Sequence, residues 1–68
     1  METTFGERLK ELRTERGLGQ VELAAKVQVS KGIISLWEND KRDPTLSSLK
    51  ILAKFFYVSL DELTGFKL

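Results

Sequence analysis

The chain has 68 residues, which is enough for one domain but close to the lower limit for folding without a disulfide or a metal. It has no Cys and no His, which excludes a disulfide, a thiol nucleophile and a zinc finger, and its carboxylates lack the spacing of a calcium loop. No apolar run approaches the ~20 residues of a membrane span, and no secretory leader opens the chain. With 41% hydrophobic and 31% charged residues, we expect a soluble, cytoplasmic protein without a cofactor or a membrane partner.

The pattern of apolar and capping residues predicts five helices and no strand, within a single domain over residues 1–68. Capping boxes begin the first helix at Thr4 and the fifth at Ser59, and Gly17 and Gly65 end the same two helices. The fold class is therefore all-α, a compact bundle of five helices. The predicted helices cover about residues 4–16, 20–27, 31–39, 46–56 and 60–64.

The second and third predicted helices are separated by a turn of about three residues, and this pair is the most informative part of the sequence. Ala24 is small enough to let another helix approach closely, and Ser30 is placed to cap the third helix. Ile34 and Trp37 define the buried face of that helix. A short helix, a tight turn and a second capped helix can place one helix in the major groove of DNA while the other crosses the phosphates.

The fourth predicted helix begins after Thr45, which is placed to cap it. Ile51 and Phe55 lie off its main apolar stripe, and with Phe66 and Leu68 they could form an exposed patch, which often marks an interface. Alternatively, Phe66 folds back to complete a small core. The residues expected on the core-facing side of the helix are Leu46, Leu49, Leu52, Ala53 and Phe56.

From Phe5 to Leu63 the chain resembles the phage repressor/Cro-like (Xre) helix-turn-helix family. No single residue is specific, but the ordered set at these spacings is. The resemblance implies a compact five-helix repressor-like bundle, used as a homodimer on a two-fold DNA operator, and a buried ion pair between Arg13 and Glu38. The residues that carry it are Arg13, Gly17, Gln20, Leu23, Ala24, Val29, Ser30, Ile34, Ser35, Trp37, Glu38, Asn39, Pro44, Leu49, Leu52, Ala53 and the run from Val58 to Leu63.

Three positions depart from the family pattern. Gly19 stands where a Ser or Thr cap is usual, Asp40 where Gly often closes the third helix, and Tyr57 where Gly ends the fourth. A residue with a side chain that is forced to positive φ costs on the order of 1 kcal/mol. We therefore expect these departures to affect stability more than DNA binding.

The first turn and the outer face of the third helix are the predicted base-contacting surface. Lys31 can donate to guanine O6 and N7, or to a phosphate. Gly32 costs a helix ~1 kcal/mol relative to Ala, and its bare surface either allows close approach to DNA or is a tolerated flaw. Leu36 either contacts a thymine methyl or is partly buried against helix two or a neighbouring molecule. The predicted base-contacting residues are Lys31, Gly32, Ile33, Ser35 and Leu36.

A second set of residues is predicted to contact phosphates, which fix the register of the protein on DNA without selecting sequence. The free amides and the dipole at the start of helix two favour a phosphate near Gln20. The family resemblance implies that the Gln20 side chain touches this phosphate and also braces the start of helix three. The net charge of +1 is modest for a DNA-binding domain, so the basic side chains would have to lie on one face. The predicted phosphate contacts are Gln20, Ser30, Asn39, Lys41 and Arg42.

The leading hypothesis is a prokaryotic or phage-encoded, sequence-specific transcriptional regulator, a repressor that binds double-stranded DNA as a homodimer through helix three. The alternative is a protein-interaction adaptor or antitoxin-like module that grips another protein through Leu36, Ile51 and Phe55. An enzyme is not expected, because the chain has no His, no Cys and no pocket-sized core. No metal site and no small-molecule ligand are indicated.

Overall fold

The computed structural model describes residues 3–65, and within them the chain forms five α-helices and no strand. This confirms the predicted all-α bundle. The radius of gyration, 10.8 Å, matches the ~11 Å of a compact domain of this length. Three of the predicted ranges run one residue past one or both observed ends, within the usual uncertainty of helix termini. The helices are α1 (Phe5–Glu15), α2 (Gln20–Lys26), α3 (Lys31–Glu38), α4 (Leu46–Phe56) and α5 (Leu60–Thr64).

All the helices except α2 begin after a residue whose hydroxyl group caps them. α2 begins after Gly19, which has no side chain to offer, and Glu22 instead reaches back to accept the N–H of Gly19 at 2.8 Å. The departure at Gly19 therefore leaves α2 with one half of a capping box. In the other helices, an N–H in the first turn donates at 3.0–3.2 Å to the hydroxyl oxygen of Thr4, Ser30, Thr45 or Ser59.

Positive φ angles occur at several helix ends. Gly17, with a φ of 68°, follows α1 as predicted, and its N–H donates to the carbonyl oxygen of Thr14 at 2.9 Å. Asp40 and Tyr57, with φ angles of 54° and 57°, adopt the left-handed conformation at two positions where Gly is usual. Gln28, with a φ of 60° in the turn after α2, also adopts this conformation, which was not predicted from the sequence. The left-handed conformation costs most residues with a side chain roughly 1–2 kcal/mol, whereas Asp and Asn adopt it more readily, so Gln28 and Tyr57 are the positions that strain the fold most.

The hydrophobic core draws on all five helices. α3 packs on both α1 and α2, while α5 packs on both α1 and α4. The ring of Trp37 on α3 meets the ring of Phe5 edge-on, with the centroids 6.4 Å apart. Leu46 was predicted to face the core, and this was wrong, because α4 begins one turn before its first packed residue and leaves Leu46 60% exposed. The buried apolar residues are Leu9, Leu23, Ala24, Val27, Ile34, Trp37, Leu52, Ala53, Phe56 and Leu63.

Candidate nucleic-acid interface

The last residue of α3, Glu38, is held by an ion pair with α1. Arg13 donates from Nε to Oε2 of Glu38 at 2.5 Å and from Nη2 to Oε1 at 3.0 Å. The side chains of Arg13 and Glu38 are only 11% and 3% exposed, and Nη1 of Arg13 donates to the carbonyl oxygen of Leu18 at 2.8 Å. The hydrogen bonds to Glu38 raise the pKa of Arg13 by more than burial lowers it, so the guanidinium stays charged. The ion pair therefore fixes the end of α3 against α1.

Gln20, the first residue of α2, also bonds Glu38. Its Nε2 donates to Oε1 of Glu38 at 3.1 Å, and the residue is half-buried. Gln20 was expected to brace the start of α3, but it braces the end, because the first residue of α2 lies beside the last residue of α3. This bond uses one of the two hydrogens of Nε2.

The turn between α2 and α3 is short and bonded to α2. The N–H of Val29 donates to the carbonyl oxygen of Ala24 at 3.0 Å, and Ala24 is itself buried. The positive φ of Gln28 reverses the chain, and the Ser30 oxygen then caps α3. The Ser30 hydroxyl hydrogen is not needed for this cap and can donate outward. These contacts fix the direction of α3 relative to α2.

The outer side of α3 carries the residues predicted to contact bases. Lys31 and Gly32 are exposed, and Leu36 is 39% exposed and outside the core cluster. Ile33 and Ser35 are half-buried, and Ile33 packs against the core. Lys31, Gly32 and Leu36 are therefore the most accessible of the five residues, and base contact by all five stays a prediction.

Packing within the protein does not explain Gly32. A Cβ at this position would have one neighbour within 4 Å, the Ser30 hydroxyl oxygen at 3.7 Å, which is an ordinary contact. Alanine would fit and would favour the helix by about 1 kcal/mol. The fold of residues 3–65 gives no reason for a bare position here.

Three of the predicted phosphate contacts follow α3 directly. Asn39 donates from Nδ2 to the carbonyl oxygen of Ser35 at 2.8 Å, and the N–H of Lys41 donates to the carbonyl oxygen of Leu36 at 2.9 Å. The side chains of Lys41 and Arg42 are exposed, and no ion pair within the described residues involves either of them. The loop that directly follows α3 thus has a bonded backbone and two exposed cationic side chains without an ion pair among the described residues.

The predicted dimer patch is only partly exposed. Ile51 on α4 is 48% exposed, but Phe55 is half-buried and its ring centroid lies 5.0 Å from the guanidinium carbon of Arg16. A cation over a ring face stabilises this arrangement and covers part of the ring. Phe66 and Leu68 lie outside the described residues, so the remaining half of the predicted patch has no structural description.

A contact between Asp40 and the first turn of α1 was not predicted from the sequence. Asp40 accepts hydrogen bonds from the Gly6 N–H and the Thr4 hydroxyl. The one signal in the sequence was an Asp at a position where Gly is usual.

Over residues 3–65, no cluster of three or more potential metal ligands occurs. The same residues include no helix that is long and apolar enough to cross a membrane.

Comparisons with known proteins agree with this geometry. The profile of the helix-turn-helix family HTH_3 matches residues 9–63. The HTH-type transcriptional activator BcrR of Enterococcus faecalis is 48% identical over 59 residues, which are 87% of this chain and 29% of that protein. The immunity repressor protein of Bacillus phage phi105 is 36% identical over 62 residues, which are 91% of this chain and 43% of that protein. The chain therefore spans less than half the length of these two relatives.

A solved structure provides a similar comparison in three dimensions. The P22 c2 repressor protein, crystallised in complex with synthetic operator 9T, superposes with a TM-score of 0.86 at 32% sequence identity. The superposition covers 91% of this chain and 94% of that one. The arrangement of α1 to α5 is thus that of a helix-turn-helix domain seen on DNA.

Proposed function

The chain belongs to the HTH_3 helix-turn-helix family, as the resemblance predicted, and on that basis we propose that it is a sequence-specific DNA-binding transcriptional regulator. In this proposal α3 lies in the major groove of double-stranded DNA while α2 crosses the phosphate backbone. The observation that carries the proposal is the contrast across α3. Lys31, Gly32 and Leu36 are exposed on the outer side, while Glu38 is bonded to both α1 and α2.

The proposed base contacts divide into three kinds. Lys31 donates to guanine O6 and N7, and Gly32 lets the backbone of α3 approach the base edges closely. Leu36 packs against the C5 methyl group of a thymine. Ile33 and Ser35 complete this surface with the smaller areas that they expose.

The proposed phosphate contacts precede and follow α3 in the sequence. Backbone contacts of this kind supply affinity and register, and they make binding fall steeply with salt. They would compensate for the small net charge of +1, because Lys41 and Arg42 are adjacent and unpaired. The residues proposed for this role are Gln20, Ser30, Asn39, Lys41 and Arg42.

We also propose that the protein binds its operator as a homodimer. One short module reads few base pairs, and two copies on a two-fold site double the number of specific contacts. The exposed side chain of Ile51, with Phe55 beside it, supports an interface on α4, to which Phe66 and Leu68 would contribute. Repression by occupying the operator is the proposed mode of action, in the cytoplasm and without catalysis. The two relatives named above are an activator and a repressor, so a reporter gene placed behind the operator decides the sign.

A second function, a protein-interaction adaptor, is favoured by one specific observation. Leu36 and Ile51 are large apolar side chains that are 39% and 48% exposed. In an adaptor these side chains would bind another protein, and α3 would not contact DNA. The two functions differ in whether the chain enriches any duplex from a random pool.

The test is selection of bound duplexes from random DNA, followed by affinity measurements at several salt concentrations. A regulator should enrich a two-fold site. The slope of log K against the logarithm of the salt concentration should be about −0.9 for each phosphate contact. Lys31→Ala should weaken binding and relax one base position, whereas Lys41→Ala should weaken all sequences alike. Lys10→Ala, beside Glu7 and Glu11 on α1, is the charge-matched control and should leave both properties unchanged. Enrichment of no duplex would exclude the regulator and leave the adaptor.

A further inference from the structure

The first turn of α1 lies against the last turn of α3, and Gly6 makes this approach possible. A Cβ at Gly6 would lie 2.5 Å from the carbonyl oxygen of Trp37 and 2.6 Å from that of Glu38. Neither oxygen can move away easily, since both belong to the backbone of α3. The two helices therefore meet at a contact too close for any residue larger than glycine.

Asp40 bonds α1 at the same contact. Its Oδ1 accepts the N–H of Gly6 at 3.0 Å, and its Oδ2 accepts the hydroxyl of Thr4 at 2.7 Å. The Gly6 N–H is one of the first amides of α1, which have no acceptor within the helix, and the Thr4 oxygen already caps Glu7. Asp40 thus supplies a second cap from 34 positions away in the chain. A negative charge at the start of a helix is also favoured by the helix dipole.

These bonds fix the start of the loop that carries the basic side chains. Asp40 immediately precedes Lys41 and Arg42, and the N–H of Lys41 is bonded to the carbonyl oxygen of Leu36. The left-handed φ of Asp40 sets the direction in which the loop leaves α3, and its carboxylate holds that direction by bonding α1.

We propose that Asp40 is a positioning residue for DNA binding. Through its bonds to Gly6 and Thr4, which we call the Asp40 clasp, it holds Lys41 and Arg42 where they meet the phosphates beside α3. This inference rests on the DNA-binding function proposed above, because the clasp has no such role without a duplex. The clasp also turns the carboxylate toward α1, although Asp40 stands next to the proposed phosphate contacts.

The Asp40 clasp and simple charge repulsion predict opposite changes in DNA affinity when Asp40 is removed. An acidic residue beside a phosphate-binding loop repels DNA, so charge alone predicts tighter binding when Asp40 is removed. Asp40→Gly would remove the charge and place at this positive φ the residue that adopts it most readily, so charge and backbone conformation both predict a benefit. If the clasp positions the loop, the same variant binds more weakly, because Lys41 and Arg42 lose their fixed place.

A pair of conservative variants separates geometry from charge. Asp40→Asn removes the charge but keeps an oxygen that can accept the Gly6 N–H, and Asn tolerates the left-handed conformation. Asp40→Glu keeps the charge but adds a methylene, which displaces the carboxylate from Gly6 and Thr4. The clasp predicts that Asn supports DNA binding and that Glu does not, whereas charge alone predicts tighter binding for Asn and no change for Glu.

The experiment measures affinity for the selected duplex against salt, and thermal melting, for the 68-residue chain and its variants. We expect Asp40→Gly and Asp40→Glu to bind about five- to tenfold more weakly, with Asp40→Asn within about twofold of the parent chain. The salt slope of the two weak variants should fall by up to about 1.8, the contribution of two phosphate contacts. Tyr57→Gly, which relieves a similar φ at the end of α4, is the control and should leave DNA binding unchanged.

Three results would overturn the proposal. Asp40→Gly or Asp40→Glu could fold cooperatively and bind as tightly as the parent chain. Asp40→Asn could bind as weakly as the Gly variant, which would require the charge itself. Both weak variants could fail to fold, which would make the clasp a purely structural contact. If the parent chain enriches no duplex at all, it is the proposed function that fails, and that result precedes any comparison of variants.

Discussion

The side chains on the inner side of α3 are buried or hydrogen-bonded within the protein, whereas those on the outer side are exposed. On the inner side, Ile34 and Trp37 are buried, and the Glu38 carboxylate accepts hydrogen bonds from Arg13 and Gln20. On the outer side, Lys31, Gly32 and Leu36 are exposed and contribute nothing to the core cluster. The residues on the inner side contribute to the stability of the fold, whereas those on the outer side do not. Substitutions on the two sides should therefore separate folding from DNA binding.

The largest effect is expected on the inner side, from Glu38→Ala. The variant would leave the guanidinium of Arg13 buried without its partner, which costs about 3–5 kcal/mol of unfolding free energy. A small domain has little more stability than this, so the variant should be largely unfolded and should lose DNA binding with its fold. Urea denaturation measures the loss.

The matched control for this variant is Glu11→Ala, because Glu11 is an exposed glutamate on α1. Its unfolding free energy should stay within about 0.5 kcal/mol of that of the parent chain. A Glu38 variant as stable as the Glu11 variant would show that the ion pair does not hold the inner side of α3.

The helices could be predicted from the sequence because the signals that form them are local. Thr4, Ser30, Thr45 and Ser59 cap the N–H groups that follow them within one turn, and apolar periodicity marks the buried faces. The pairing of Arg13 with Glu38 followed from the family resemblance, since no pattern along the chain links positions 25 residues apart.

Contacts set by the packing of whole helices were not predictable in this way. The Asp40 clasp depends on how closely the first turn of α1 approaches the end of α3, and the brace by Gln20 depends on the crossing of α2 with α3. The positive φ of Gln28 follows from the turn that those helices require. Arg16, the residue that follows α1, lies over the ring of Phe55 and reduces the exposure of a patch that the helix period alone would leave open.

The two sides of α3 can be distinguished most sharply by Gly32→Ala, which should change stability and binding in opposite directions. Alanine fits at this position and should raise the unfolding free energy by about 1 kcal/mol. If the bare backbone approaches base edges, the added methyl should weaken binding to the selected duplex about fivefold or more. Denaturation and duplex affinity are measured on the same preparation.

The control for Gly32→Ala is again Glu11→Ala, which changes a helical surface without touching α3 and should leave affinity unaltered. A Gly32 variant that is more stable and binds DNA as well as the parent chain would make the glycine a tolerated flaw. The outer side of α3 would then keep Lys31 and Leu36 as its proposed base contacts.

The smallest effect concerns Leu36, and it tests whether an exposed apolar side chain on the outer side reads a base. Each thymine of the selected duplex is replaced in turn by deoxyuridine, which removes only the C5 methyl. A buried methyl is worth ~0.8 kcal/mol, so one position per half-site should lose about fourfold in affinity. Leu36→Ala should bind the thymine and deoxyuridine duplexes equally, whereas Lys31→Ala should still distinguish them.

Discrimination that survives in the Leu36 variant would assign the methyl contact to another residue. No discrimination in the parent chain would favour a protein contact as the role of Leu36, which is 39% exposed in the described fold.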